Sequence, residues 1–163
     1  MVIRQATEAD YAGIHALVQK AFETAKVSSG TEQDFVLELR QGNHIPALEL
    51  VAEEGGALVG HVMLTGITIR NGGAETESLL LAPLSVTLER RNAGVGAALM
   101  REALGRARVL GYASVILVGD PAYYARFGFR PAAPISYPGV PGEYTLAHEL
   151  VPGALAGVAG SVA

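Results

Sequence analysis

Apolar residues recur at the helical period near the start of the chain: Tyr11, Ile14, Val18, Phe22 and Ala25 share one face, with Leu17 and Ala21 beside them. Thr7 followed three residues later by Asp10 has the form of a capping box and predicts where this helix opens. The weak alternation of Val2 to Ala6 before it predicts a short strand. Ser28-Ser29-Gly30 breaks the pattern, and Thr31 with Asp34 repeats the opening signal ahead of Phe35, Val36 and Leu39, so a second helix follows. From Leu48 the character changes to Leu-Glu-Leu-Val-Ala-Glu, then Glu54-Gly55-Gly56, then a run rich in Val, Leu, Thr and Ile from Ala57 to Ile69, which predicts a hairpin. Leu79 to Val86 supplies a third sheet segment. Pro83 interrupts it, and because proline cannot donate to a ladder it marks an edge, a bulge or an end to pairing.

The strongest helical pattern runs from Gly94 to Leu110, with Val95, Leu99, Ala103, Ala107 and Leu110 aligned, Glu102 four residues before Arg106, and Gly111 closing it. Ser114 to Val118 is a short apolar strand bounded by Gly119-Asp120-Pro121. Pro121 suits the first turn of a short helix that carries Tyr123, Tyr124 and Phe127 and ends at Gly128. Proline and glycine crowd Pro131 to Gly142, and Tyr144 to Leu150 predicts a last strand. The division expected is one domain over residues 1–150 and a charge-free tail over 151–163, frayed or packed on the surface.

The 163 residues carry 12 Lys+Arg against 16 Asp+Glu, a net charge of −4, and half of them are hydrophobic. A chain of this length buries roughly 70% of its unfolded surface, so it needs no staples. The absence of cysteine excludes disulfides, Cys-ligated zinc, iron–sulfur clusters and a cysteine acyl-enzyme. An acidic balance without a basic, aromatic-interleaved stripe argues against a nucleic-acid partner. The N-terminus lacks the positive-then-apolar order of a signal peptide, and no apolar run reaches the roughly 18 residues of a membrane span. The expectation is a soluble cytoplasmic protein with no membrane partner. His15 and His44 have no metal-spaced partner and His148-Glu149 lacks a second histidine, so no metal is expected.

The most informative stretch is Leu84-Ser85-Val86-Thr87-Leu88-Glu89-Arg90-Arg91-Asn92-Ala93-Gly94-Val95-Gly96-Ala97, a strand followed by a basic, glycine-containing turn that opens a helix. Free amides and the helix dipole at such a terminus attract phosphate, Gly94 and Gly96 let the backbone approach closely, and Arg90 and Arg91 add positive charge. A P-loop fails because Ala97-Ala98 stands where Lys-Ser or Lys-Thr is required. A dinucleotide-binding fingerprint fits the strand, the Gly94-Val95-Gly96 turn and Asp120 past the next strand. Against it stand Leu99 in the place of the third glycine, the seven residues from Val86 to Gly94, and Pro121 after Asp120.

Arg91-Asn92-Ala93-Gly94-Val95-Gly96 resembles motif A of the GNAT superfamily of N-acetyltransferases, and Gly119-Asp120-Pro121-Ala122-Tyr123-Tyr124-Ala125-Arg126-Phe127-Gly128-Phe129 resembles its motif B. The order of elements over residues 2 to 150 is similar as well. The resemblance implies an α/β (α+β) fold with a mixed, mostly antiparallel sheet of six to seven strands flanked by about four helices. It also implies acetyl-CoA as cofactor: amides from Arg91 through Ala97 on the pyrophosphate, Leu84, Ser85 and Val86 beside the pantetheine arm, the Val86 amide on the thioester carbonyl, Tyr124 as general acid and Tyr123 lining the site. Homodimers are common in that family.

Acetyl transfer to an amine needs a polarised thioester, a deprotonated amine and a proton for the departing thiolate. The base is left open among His61, Glu75, Glu77 and a water chain. Tyr123, Tyr124, Phe127 and Phe129 also read as an aromatic core patch, and a histidine in a strand is ordinarily a packed residue. With neither a Gly-x-Ser-x-Gly elbow nor a cysteine, direct transfer in a ternary complex is the route expected. Two rivals remain at this level: a non-catalytic acyl-CoA-binding or sensing module of the same fold, and a small dinucleotide-binding protein. The amine acceptor, a small molecule or a peptide, would be chosen by the two N-terminal helices, the hairpin and the Pro131 to Gly142 loop.

Overall fold

A computed structural model of the chain describes residues 1–24 and 30–163; the expected place of Ala25 on the first helix and the Ser28-Ser29 break lie outside the described residues. The backbone divides into two compact units, one formed by Met1–Thr65 with Ala82–Arg106 and the other by Gly66–Leu81 with Ala107–Ala163.

The first unit holds β1 (Val2–Gln5), α1 (Tyr11–Phe22), α2 (Glu32–Gln41), β2 (His44–Glu54), the opening part of β3 (Ala57–Asn71), the end of β4 (Ala74–Val86) and most of α3 (Val95–Val109). The Thr7 signal opens a 3-10 turn over Glu8–Asp10 before α1 begins. There the Asp10 carboxylate accepts from the Thr7 amide at 2.7 Å and from its hydroxyl at 3.1 Å. Arg4 donates to the same carboxylate at 2.8 and 2.9 Å, and this hydrogen bonding holds the Asp10 carboxyl well below the usual carboxylate range.

β1 and β3 flank β2 in antiparallel register, with Ile3 opposite Ala52 and Leu50 opposite Val62; Gly55 and Gly56, both at positive φ, make the β2–β3 turn. β2 starts at His44, four residues before the expected Leu48. Its first residues include Pro46, and the register is irregular between His44 and Glu49, so no alternation marks this stretch. One face of these strands buries Val51 and Met63 against Ile14, Leu17, Val18 and Val36 of the two helices. On the other face Gly60 admits α3. A Cβ there would lie 2.7 Å from Leu99 Cδ1 and 3.0 Å from Val95 Cγ1. The close helix–strand packing that a dinucleotide fingerprint achieves with its third glycine is reached here with the glycine on the strand and Leu99 on the helix.

The second unit holds the rest of β3 and β4, joined at Gly72-Gly73, with β5 (Ser114–Val118), α4 (Pro121–Tyr124), β6 (Arg130–Pro131), β7 (Ile135–Ser136), β8 (Thr145–Glu149) and β9 (Gly160–Val162). β4 and β5 run parallel, with Leu79 opposite Val115, while β8 lies antiparallel to β5 and to β6. The tail over 151–163, expected to be frayed or packed on the surface, carries a strand of the sheet. β9 pairs antiparallel with β3, Val162 opposite Ile69, and parallel with β7, and Val162 joins a core with Ile69, Ile116, Ala132 and Ile135. Gly160, at φ +120°, lies against the Arg70 carbonyl where a Cβ would overlap it. The described residues contain nine strands rather than six to seven. The additional ones, β6, β7 and β9, are two or three residues long and too short to show a period of two. The mixed, mostly antiparallel character and the four α-helices agree with the expectation.

Candidate functional site

In the first unit the end of β4 leads into the turn singled out above. The Thr87 amide donates to the Val59 carbonyl at 2.9 Å and holds the strand end onto β3. A 3-10 turn over Leu88–Arg90 follows, then extended backbone at Arg91, Asn92 at φ +63° and Gly94 at φ +84°. The Ala98 amide makes the first α3 bond, to the Gly94 carbonyl at 3.0 Å. The amides of Val95, Gly96 and Ala97 therefore lie in the opening turn without intrahelical acceptors, at the positive end of the helix dipole. A Cβ on Gly94 would meet nothing within 4 Å, so this side of the turn is open. Residues 91 to 94 are exposed, Leu84, Val86, Gly96 and Ala97 are half-buried, and the Val95 side chain is turned into the core, which leaves only its amide available. Ser85 is buried, and its hydroxyl has no partner.

Both arginines expected to face an anion here have protein partners. Arg90 pairs with Glu54 at 3.1 Å, and Arg91 donates to the Ala21 carbonyl at 2.6 Å and to the Thr24 hydroxyl at 2.8 Å. The geometry suited to a phosphate is thus supplied by backbone.

In the second unit, α4 is built as its sequence indicates: the Asp120 carboxylate caps it by accepting from the Ala122 amide at 2.9 Å, Pro121 fills the first turn, and Gly128 closes the following 3-10 turn at φ +90°. Gly119 makes room for Tyr124, since a Cβ there would overlap the ring. Tyr124 meets Tyr123 edge to face at 4.9 Å between centroids and Phe129 at 6.2 Å. Burial, with smaller contributions from Tyr123 and Asp120, pushes its phenol up to about 12, so the group keeps its proton throughout the physiological range. The Arg126 guanidinium covers the Tyr123 ring at 4.5 Å. Glu75 and Glu77 are exposed, and Glu75 pairs with an equally exposed Arg70 at 3.4 Å.

The model of the acetyltransferase (GNAT) domain family matches residues 2–132. The chain belongs to the GNAT acetyltransferase family. It is 32% identical to the uncharacterized N-acetyltransferase YhbS of Escherichia coli K12, in an alignment covering 99% of this chain and 95% of that protein. Among solved structures it is similar to E. coli YhbS in complex with CoA, with a TM-score of 0.86 and 33% identity over 99% of this chain and 87% of the other. It is also similar to a GNAT family acetyltransferase of Brucella melitensis in complex with acetyl-CoA, with a TM-score of 0.82 and 32% identity over 99% of this chain and 94% of that one. No helix among the described residues is long and apolar enough to cross a membrane.

This GNAT domain also carries a polar cluster that the sequence reading missed, apart from His61. Glu49, 1% exposed, accepts from Arg40 at 3.0 and 2.6 Å and bonds His44 and His61 at 2.9 Å each. Arg40 stacks 3.7 Å above the Tyr11 ring. His61 is fully buried, and burial depresses its pKa, so it is neutral and donates through Nε2 while Nδ1 has no partner. Among the expected bases, His61 is thus a packed residue held by a carboxylate. The available signal was Glu49 itself, one charge inside Leu48-Glu49-Leu50-Val51-Ala52.

Burial alone would raise the Glu49 pKa, but the hydrogen bonds from His61 and Arg40 outweigh it and bring the carboxyl down to about 2. A depressed carboxylate contributes stability that is complete above its unfolded value and is lost as pH falls through the folded value. Unfolding titrations should therefore show a Glu49-dependent loss from about pH 4.5 down to about pH 2. Glu49→Gln leaves the buried Arg40 without its counter-charge and should cost about 3–5 kcal/mol at pH 7 by urea denaturation, with that part of the acid limb gone. A variant as stable as wild type would show that the pair contributes nothing net.

Proposed function

We propose that the protein transfers an acetyl group from acetyl-CoA directly to an amine of an acceptor, a small molecule or a peptide, in a ternary complex. The observation that carries this reading is the α3 turn: free first-turn amides and an open Gly94 face, in a GNAT chain whose relatives from E. coli and B. melitensis were crystallised with CoA and acetyl-CoA. The residues present fit such a ligand. The backbone from Asn92 through Ala97 would take the pyrophosphate, Leu84, Ser85 and Val86 would line the pantetheine arm with the Val86 amide donating to the thioester carbonyl, and Tyr123 would line the cofactor site. The cofactor supplies the activated acyl group. Tyr124, protonated across the working range, would give its proton to the departing thiolate. The acceptor amine must lose a proton, and among the residues weighed for this His61 is fully buried while Glu75 and Glu77 are exposed, which favours a water chain.

The test is calorimetry with acetyl-CoA, followed by an amine panel scored for release of free CoA thiol. Binding together with amine-dependent thiol release is the expected result. No binding would overturn the cofactor assignment, and binding without release across the panel would establish the non-catalytic sensing module instead.

A further inference from the structure

Arg91 stands three residues before Gly94 in the anion-binding turn, yet its guanidinium is spent on α1. The Ala21 carbonyl that it meets at 2.6 Å lies in the last turn of α1, Tyr11–Phe22, at the C-terminal end of that helix. A cation there also faces the negative end of the helix dipole. The second arm reaches the Thr24 hydroxyl at 2.8 Å, just beyond the helix. One planar fork thus holds together two points about seventy residues apart, a use that a lysine reproduces only in part. Arg90, by contrast, is paired with Glu54 where both side chains are some 40% exposed, an arrangement that screening makes weak.

We propose that Arg91 is a positioning residue that couples occupancy of the cofactor turn to the order of the C-terminal end of α1, one of the helices expected to choose the acceptor. The inference rests on the reading of this turn as the acetyl-CoA phosphate site. The physical basis is a shared cost. The turn is exposed and contains two residues at positive φ, Asn92 and Gly94, so fixing it forfeits conformational entropy. A phosphate on the amides and the strap to α1 both restrain the same few residues. Whichever forms first orders the turn for the other, which makes the coupling positive and reciprocal.

The experiment is amide hydrogen exchange of the full chain with and without acetyl-CoA, for wild type, Arg91→Gln and Arg91→Lys, alongside calorimetry at two salt concentrations. In wild type, acetyl-CoA should slow exchange over Val18 to Thr24. Arg91→Gln should still bind, roughly five- to twentyfold more weakly, with an unchanged salt dependence and without the slowing in α1. Arg91→Lys, which keeps a cation for the Ala21 carbonyl, should recover part of the response. A structural role alone would change exchange in the free protein and leave the acetyl-CoA-dependent difference intact. The proposal is overturned if Arg91→Gln retains that difference, if wild type binds without showing it, or if the salt dependence flattens markedly in Arg91→Gln, which would put the guanidinium on the phosphate. Failure of wild type to bind acetyl-CoA overturns the function proposed above together with this inference.

Discussion

Gly94→Glu is expected to abolish acetyl-CoA binding while the protein stays folded. The Gly94 position is open, with no atom within 4 Å of a Cβ, so the side chain meets no steric barrier. Its φ of +84° costs a non-glycine residue on the order of 1–2 kcal/mol, which a domain of ordinary stability survives. The carboxylate, however, arrives at the helix terminus whose free amides would take the pyrophosphate. Like charges brought together cost several kcal/mol, so affinity should fall at least about a hundredfold in calorimetry. Gly94→Ala separates the two effects: it carries the same backbone strain without the charge, and it should bind acetyl-CoA nearly as wild type does. If Gly94→Glu bound the cofactor normally, the turn would not be its phosphate site.

Tyr124→Phe should lower kcat by roughly 10²- to 10⁴-fold, about 3–5 kcal/mol of barrier, and leave the acetyl-CoA Kd within about threefold. The substitution removes a hydroxyl and keeps the ring against Tyr123 and Phe129, so the packing around Gly119 survives. With the phenol pushed up to about 12, the wild-type rate should show no alkaline loss from Tyr124 until pH approaches that value. The measurement is steady-state turnover with the best amine of the panel, beside calorimetry of the same variant. An unchanged kcat would return Tyr124 to the aromatic core patch that its neighbours also suggest. Gly119→Ala gives an indirect check, because its Cβ must displace the Tyr124 ring and should lower kcat with little change in cofactor affinity.

Several elements were legible along the chain because their causes are local. The α3 pattern over Val95, Leu99, Ala103 and Ala107 is a periodicity, the Asp120-Pro121 cap of α4 is a side chain reaching amides two residues on, and Gly111 and Gly128 end their helices at positive φ. The opening of α1 was marked by Thr7 and Asp10, though the first turn is 3-10. β9 was not legible: a three-residue segment in a charge-free tail becomes a strand only because β3 and β7 present it with partners.

The candidate site divides in the same way. Gly94, Gly96 and the tyrosines at 123 and 124 could be named from order and spacing, since a turn that needs positive φ and a helix that follows it are written in adjacent residues. What each charge does could not. Arg90 and Arg91 read as anion ligands, yet Glu54 and the end of α1 take them; Glu49 reads as one charge on a strand, yet Arg40 of α2, His44 of the same strand and His61 of the next converge on it. The helices, the turns and the family pattern can be read along the chain because their causes lie within a few residues. Where the buried and strapped charges are spent depends on the fold, because a charge is satisfied by whatever the folded chain brings within about 3 Å of it, and that neighbour can lie seventy residues away.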